Sequence, residues 1–350
     1  MIVRDDMQEI LRACSNELSL LSGRTLLLTG GSGFVGSYLV ESLIAFNALH
    51  SDNPCRVLLP TRSVEKAKRK WPQFFRHNHL KWFDWDGSEL RLPDGNCDYL
   101  IHAAAPVNPA AYLAGQAGIM GEVVRSTQAT LEYAQRAGVK KYLFISSGAI
   151  YGSQPVEISA MHESYQGAPD ITDPRSCYGE AKRYSELLCN VSGAPVVIAR
   201  LFAFIGPYLD LDADFAVADF IRQAVNDRVI RIRSDGSALR TYCYSTDLTI
   251  ALWKLLLTAE PGNAYNVGAA GPGISIRNVA DILAALIGDV SVVADGGKES
   301  PGLAGQRYIP DISRLSELCS PQVGLNTALE RTLVSLRERR LIQAKFGQSF

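Results

Sequence analysis

A short apolar run, Thr25-Leu26-Leu27-Leu28-Thr29, leads directly into Gly30-Gly31-Ser32-Gly33-Phe34-Val35-Gly36, and a helical pattern follows from Phe34 to Phe46. Few folds accommodate such a junction. An apolar run stopped by glycines reads as a buried parallel strand. Glycines at 30, 33 and 36 permit a tight turn, close approach of backbone N–H groups to a pyrophosphate, and close packing of the helix on the sheet. The helix N-terminus adds partial positive charge for the phosphates. Strand, glycine loop and helix come in the order this motif needs, so Gly30, Ser32, Gly33, Phe34, Val35 and Gly36 are candidate dinucleotide-binding residues.

Further strand candidates follow at Arg56–Leu59, Leu80–Phe83, Tyr99–Ile101, Tyr142–Ile145 and Pro195–Leu201, with helix-like segments at Glu122–Ala137 and Tyr178–Cys189. Strands alternating with helices predict an α/β fold, a doubly wound parallel sheet of the Rossmann kind, because each parallel crossover needs a covering helix. Beyond residue 203 the alternation breaks down. Phe215–Val225, Thr246–Leu257 and Ile276–Leu286 read as helices joined by turns such as Pro261-Gly262-Asn263. The expected organisation is an N-terminal helical extension over 1–22, a dinucleotide-binding domain over 23–202, and a smaller, partly interleaved substrate lobe over 203–350. In the extension, Met7, Ile10, Leu11, Cys14, Leu18 and Leu21 recur at three- and four-residue spacing, the pattern of an amphipathic helix laid on the main body.

Composition narrows the partners. Of 350 residues, 35 are Lys or Arg and 36 are Asp or Glu, a net charge of -1, so the basic surplus of a nucleic-acid binder is missing. The basic run Lys66 to Lys70 reads as a solvated helix face. No apolar run approaches the roughly 18–20 residues that span a bilayer. Asp5, Asp6 and Glu9 stand where a secretory signal would want a basic start. Seven cysteines without a C-x-x-C pair read as reduced thiols, with neither a disulfide framework nor a metal site. The expectation is a cytoplasmic protein without membrane, nucleic-acid or metal partners.

At the end of the second strand an NAD-binder usually carries Asp or Glu for the adenosine ribose. Here the residues are Leu59-Pro60-Thr61-Arg62-Ser63. Arg62 and Ser63 could take a 2′-phosphate through a guanidinium fork and a hydroxyl, which leans towards NADP and leaves NAD open. Asp84, followed by Trp85 at the end of the third strand, is a candidate for the adenine amino group.

Tyr178 and Lys182 lie four apart, on one face of a helix. Ser146-Ser147 ends the fifth strand, so both elements can meet at the carboxyl edge of the sheet. A tyrosine that moves a proton near neutral pH needs its pKa lowered, and a lysine ammonium beside it favours the phenolate. Ser147 would then hold a substrate hydroxyl or carbonyl while hydride passes to or from a nicotinamide.

Together these residues resemble the extended short-chain dehydrogenases/reductases of the nucleotide-sugar epimerase/dehydratase group, over about residues 24 to 335. The resemblance extends to His102-Ala103-Ala104, Ser146-Ser147-Gly148-Ala149-Ile150-Tyr151-Gly152, Arg200-Leu201-Phe202, Gly206-Pro207, the Arg240 to Asp247 segment, Tyr265-Asn266-Val267-Gly268, and Arg307 with Pro310-Asp311. It implies that His102, Ala103 and Ala104 lie beside the cofactor and that Ser147 is the catalytic hydroxyl. It also implies that Arg240 and Arg307 grip the diphosphate of a nucleotide-sugar substrate, and that two chains pair through the helices around 122–137 and 178–190. Pro174-Arg175-Ser176-Cys177-Tyr178 is similar to UDP-glucuronate decarboxylases.

The departures are specific. Dehydratases of the group follow the catalytic Ser/Thr with Asp-Glu, and decarboxylases carry a glutamate at the second place; here the pair is Gly148-Ala149. Ala203 replaces a usual asparagine, and Val123 another. The leading expectation is therefore hydride transfer at a ring carbon, 4-epimerisation or 4-keto reduction. The alternatives are a nucleotide-sugar dehydratase or decarboxylase, or a non-catalytic NAD(P)-binding regulatory protein, a reading that the retained Ser147, Tyr178 and Lys182 oppose.

Overall fold

A computed structural model describes residues 2–92, 95, 97–105, 109–213, 215–294 and 306–346. Its centre is a seven-stranded sheet. In spatial order the strands are Ala264–Val267, β6 (Val196–Leu201), β5 (Lys141–Ser147), β4 (Tyr99–His102), β1 (Thr25–Thr29), β2 (Arg56–Thr61) and β3 (Leu80–Asp84). Every neighbouring pair is parallel. The chain order reverses between β1 and β4, and in sheets of this kind the crevice beyond that reversal is where ligands bind.

The central strands β1, β2, β4 and β5 are largely apolar because helices cover both faces, and strand geometry sends alternate residues to opposite cores. Leu26 and Leu28 of β1, Val57 and Leu59 of β2, and Leu143 and Ile145 of β5 join one core with Phe46 and Trp253. Leu27, Leu58, Tyr142 and Phe144 join the other, with Leu131, Tyr133 and Cys189. The first core lies under helices Phe34–Leu49 and Ser245–Leu257, the second under helices Pro109–Ala137 and Cys177–Val191. A third cluster, built from Val217, Ile221, Ile230, Leu283 and Leu329, sits among the residues beyond 203. From that part of the chain the Ala264–Val267 strand returns to the main sheet beside β6.

The N-terminal segment folds as two helices, Ile2–Ala13 and Ser15–Ser19, on the first core. Met7, Ile10, Cys14, Leu18 and Leu21 are buried and Leu11 is packed against them. Asp6 is also buried. It accepts hydrogen bonds from the Tyr38 and Tyr244 hydroxyls at 2.8 and 2.7 Å, and from Arg331 at 3.1 Å. Arg331 pairs with Glu9 as well, which ties this segment to the Leu325–Phe346 helix.

The helix expected over 122–137 begins at Pro109. Glycines at 115, 118 and 121 blur its apolar period. All seven cysteines are free, six of them buried. Among the described residues there is no cluster able to hold a metal ion, and no helix is long and apolar enough to cross a membrane.

Candidate active site at the carboxyl edge of the sheet

The glycine loop is a cradle that side chains would fill. A β-carbon at Gly36 would stand 2.2 Å from the Gly30 carbonyl oxygen, and one at Gly30, whose φ is +73°, would stand 2.7 Å from the Ala103 backbone. Gly33 precedes the Phe34–Leu49 helix with no side chain capping it, so backbone N–H groups of the first turn remain for a ligand. Ala104 N–H reaches the Thr29 hydroxyl at 3.1 Å, which sets the His102-Ala103-Ala104 segment against the loop. These residues fit a dinucleotide pyrophosphate.

The adenosine end departs from expectation. Arg62 forms an ion pair with Glu122 at 3.1 Å, so a carboxylate occupies part of the fork that sequence reasoning reserved for a 2′-phosphate. Ser63 caps the Val64–Lys70 helix, accepting from Lys66 N–H at 3.2 Å, and Asp84 accepts from Val64 N–H at 2.8 Å. Trp85 Nε1 donates to the Ser88 carbonyl. Arg62, Asp84 and Trp85 nonetheless line one open cavity with Phe83, Asp86, Glu89 and Arg91.

At the reacting end the serine pair divides its work. Ser146 is buried and bonds to Glu186, which also takes a bidentate bond from Arg200. Ser147 ends β5 as the cap of the Gly148–Tyr151 turn, accepting from Ala149 N–H at 3.1 Å. The Cys177–Val191 helix packs on both β5 and that turn, which brings Tyr178 and Lys182 to the same edge. Lys182 Nζ stands 4.8 Å from the Phe144 ring centre and 6.0 Å from that of Tyr178. Burial pulls its pKa down to about 8.

His102 is fully buried between Thr29, at 2.8 Å, and Thr127. Burial and the Lys182 charge push its pKa down to about 3, so at neutral pH it is an uncharged packing neighbour of the site rather than a base.

The two arginines separate. Strand Arg307–Tyr308 pairs with Leu239–Arg240 in a register that sets Tyr308 opposite Arg240 and Arg307 opposite Leu239. Arg240 therefore faces the site, its guanidinium 5.7 Å from the Tyr308 ring centre and its Nη1 bonded to the Leu239 and Gln306 carbonyls. Arg307 turns to the Val156 carbonyl at 3.3 Å. Tyr308, which sequence reasoning passed over, takes its place beside Ser147. The available signal was the two-residue period of a strand running through Arg307.

The chain matches the model of the NAD dependent epimerase/dehydratase family over residues 26–268. It is 28% identical over 314 residues to UDP-glucuronic acid decarboxylase 5 of Arabidopsis thaliana, covering 88% of each chain. Among solved structures, dTDP-glucose 4,6-dehydratase of Streptomyces venezuelae with NAD bound superposes with a TM-score of 0.75 at 25% identity, covering 91% of this chain and 98% of that one. UDP-glucose 4-epimerase of Thermotoga maritima shares the fold at a TM-score of 0.74 and 23% identity, over 90% of this chain and 99% of that one. The chain belongs to the NAD dependent epimerase/dehydratase family, a family of enzymes acting on nucleotide sugars.

Proposed function

We propose that this enzyme acts on a UDP-linked sugar by hydride transfer at a ring carbon, C4, carrying out 4-epimerisation or 4-keto reduction. The observation that carries the reading is the meeting of Ser147, Tyr178 and Lys182 at one sheet edge, followed by a Gly148-Ala149 turn with no acid or base. The bound dinucleotide supplies a hydride acceptor and donor. Ser147 orients the sugar hydroxyl by a hydrogen bond, and Tyr178 Oη takes its proton as general base and returns it as general acid. Lys182 stabilises the phenolate by its charge. Arg240 neutralises the diphosphate, and Arg307 is assigned to the same group on turning from Val156.

Gly30, Ser32, Gly33, Phe34, Val35 and Gly36 would hold the pyrophosphate, together with the adjoining His102-Ala103-Ala104 segment. Arg62, Ser63, Asp84 and Trp85 would hold the adenosine. The Arg62–Glu122 pair supports NAD, since a carboxylate so placed repels a 2′-phosphate. Arg62 is the residue through which NADP would be preferred. Exposed Tyr184, Leu187 and Val191 on the Cys177–Val191 helix support a homodimer through that face. A cytoplasmic setting accords with free, buried cysteines.

A second reading, UDP-glucuronate decarboxylation, is favoured by the named relatives. It is opposed by the absence of an acid or base at 148 and 149. The test is incubation of purified protein with UDP-glucose, with UDP-galactose and with a 4-keto UDP-sugar, each with and without NADH or NADPH. Interconversion, or reduction of a 4-keto UDP-sugar, is expected. Binding of NAD without either activity overturns the assignment.

A further inference from the structure

Trp71 belongs neither to the catalytic group nor to the residues assigned to the cofactor, yet its side chain reaches the glycine loop. The Val64–Lys70 helix ends at this residue, whose backbone N–H donates to the Ala67 carbonyl at 2.8 Å. The indole is buried in the first core, and its Nε1 donates to the Ser32 carbonyl oxygen at 3.0 Å. What that bond holds follows from the geometry of a peptide unit. The Ser32 carbonyl and the Gly33 N–H belong to one planar trans group and point in opposite directions. Gly33 N–H donates to the Gly30 carbonyl oxygen at 2.9 Å. The unit is therefore gripped at both ends and cannot rotate without breaking two hydrogen bonds. Phe34 and Val35 come directly after it, and their N–H groups open the Phe34–Leu49 helix with no side-chain cap. A Ser32 carbonyl released from Trp71 is free to turn its oxygen into the cradle, where phosphate oxygens would meet an acceptor instead of donors.

The indole is itself boxed in. Its ring stacks on Phe74 with centroids 5.3 Å apart and meets the Tyr208 ring edge-on at 4.7 Å. Tyr208 is held in turn, its hydroxyl donating to Glu41 at 2.6 Å and its ring packed against that of Tyr38 at 5.2 Å. Glu41 and Tyr38 both lie on the Phe34–Leu49 helix that the glycine loop feeds. Trp71 is thus fixed to this helix through Tyr208 and to the loop through Ser32, and close packing around the ring leaves the N–H little room to leave its acceptor.

We propose that Trp71 is a positioning residue for the dinucleotide: by holding the Ser32 carbonyl it keeps the loop's N–H groups aimed at the pyrophosphate and slows release of the cofactor. The proposal rests on the reading that the Gly30–Gly36 loop holds that pyrophosphate. Trp71 needs no contact with the dinucleotide or the sugar to do this. Its effect falls on cofactor binding and leaves the grip on the nucleotide sugar unchanged.

The experiment compares the wild type with Trp71→Phe, which keeps an aromatic ring in the box and deletes the N–H, and with Phe74→Leu, which loosens the same box and leaves the N–H in place. Each protein is loaded with NADH and mixed with excess NAD, and release is followed by NADH fluorescence excited directly, outside the tryptophan band. UDP affinity and melting temperature are measured alongside. Trp71→Phe is expected to release NADH about fivefold faster, the size of one net hydrogen bond, with UDP affinity held within about twofold. Phe74→Leu is expected to melt at a lower temperature and to release NADH at the wild-type rate. Should Trp71→Phe fold poorly, the benzothiophene isostere of tryptophan placed at 71 deletes the N–H without loss of volume and is expected to give the same acceleration. An unchanged release rate without the N–H overturns the proposal. So does equal acceleration in Phe74→Leu, or a parallel loss of UDP affinity, since either assigns the effect to packing. In those cases NADH binding by the wild type leaves the glycine-loop reading standing. A wild type that holds no NADH removes both.

Discussion

Lys182 reaches back from its helix to β5 and donates from Nζ to the carbonyl oxygen of Ile145 at 2.8 Å. This bond fixes an ammonium under the site, in a place where burial lowers its pKa from 10.5 to about 8 while Cys189 and Glu186 pull the other way. Between those two values the unfolded chain keeps a proton that the folded one has shed. Stability therefore rises with pH across that window, and the cost of the buried charge is fully present below it. Lys182→Met removes this dependence. Urea midpoints should show its stability relative to wild type falling as pH goes from 7.5 to 9.5 (conditions of about those values suffice). A relative stability that climbs with pH contradicts the assignment.

Tyr178→Phe keeps the ring and deletes the phenolic proton. Turnover of the UDP-sugar should fall by about 10²-fold or more, the usual contribution of a positioned general acid–base group, while NAD affinity stays within a few-fold. Retention of near wild-type turnover would mean that another group moves the proton.

Gly148 and Ala149 offer no proton donor or acceptor side chain. Incubation with dTDP-glucose should give no 4-keto-6-deoxy product, and UDP-glucuronate should release no CO₂. Either product at enzymatic rates, detected by mass spectrometry or trapped carbonate, would show that water or a more distant residue replaces the missing acid.

Glu122 decides how much of Arg62 is free for a cofactor. Glu122→Gln keeps shape and removes the charge, so NADP binding should tighten relative to NAD by about tenfold, roughly 1.4 kcal/mol and close to the lower end of the range typical of hydrogen bonds to charged groups. Fluorescence titration of both dinucleotides measures it. An unchanged NADP/NAD ratio would place Arg62 outside the 2′-hydroxyl's reach.

Six strands of the sheet were legible because both its faces are covered, which favours apolar runs; the seventh, Ala264–Val267, is short, carries Asn266 and was not read as a strand. The boundaries moved by only a few residues, as where β2 continues through Pro60 to Thr61. The start of the Pro109–Ala137 helix was not legible, since its glycines carry no hydrophobic period. Ser147, Tyr178 and Lys182 stood out because local spacing alone places them on a strand end and a helix face. Tyr308 and the Arg62–Glu122 pair did not. The first depends on the register between two short strands far apart in sequence, and the second joins residues 60 positions apart. The strand period through Arg307 could mark which face Tyr308 takes, but nothing local signals what it meets there, or that Arg62 meets Glu122.

The burial of Asp6 makes two distant segments depend on one another. Its carboxylate and Arg331, the cation that meets it, lie 325 residues apart in sequence. Without the Leu325–Phe346 helix the pocket formed by Tyr38 and Tyr244 offers hydroxyls but no positive charge, and burial holds the Asp6 pKa above its ordinary value. An unpaired buried carboxylate is costly, so the Ile2–Ala13 helix gains little by docking before the Leu325–Phe346 helix is in place. The two helices therefore close as one latch.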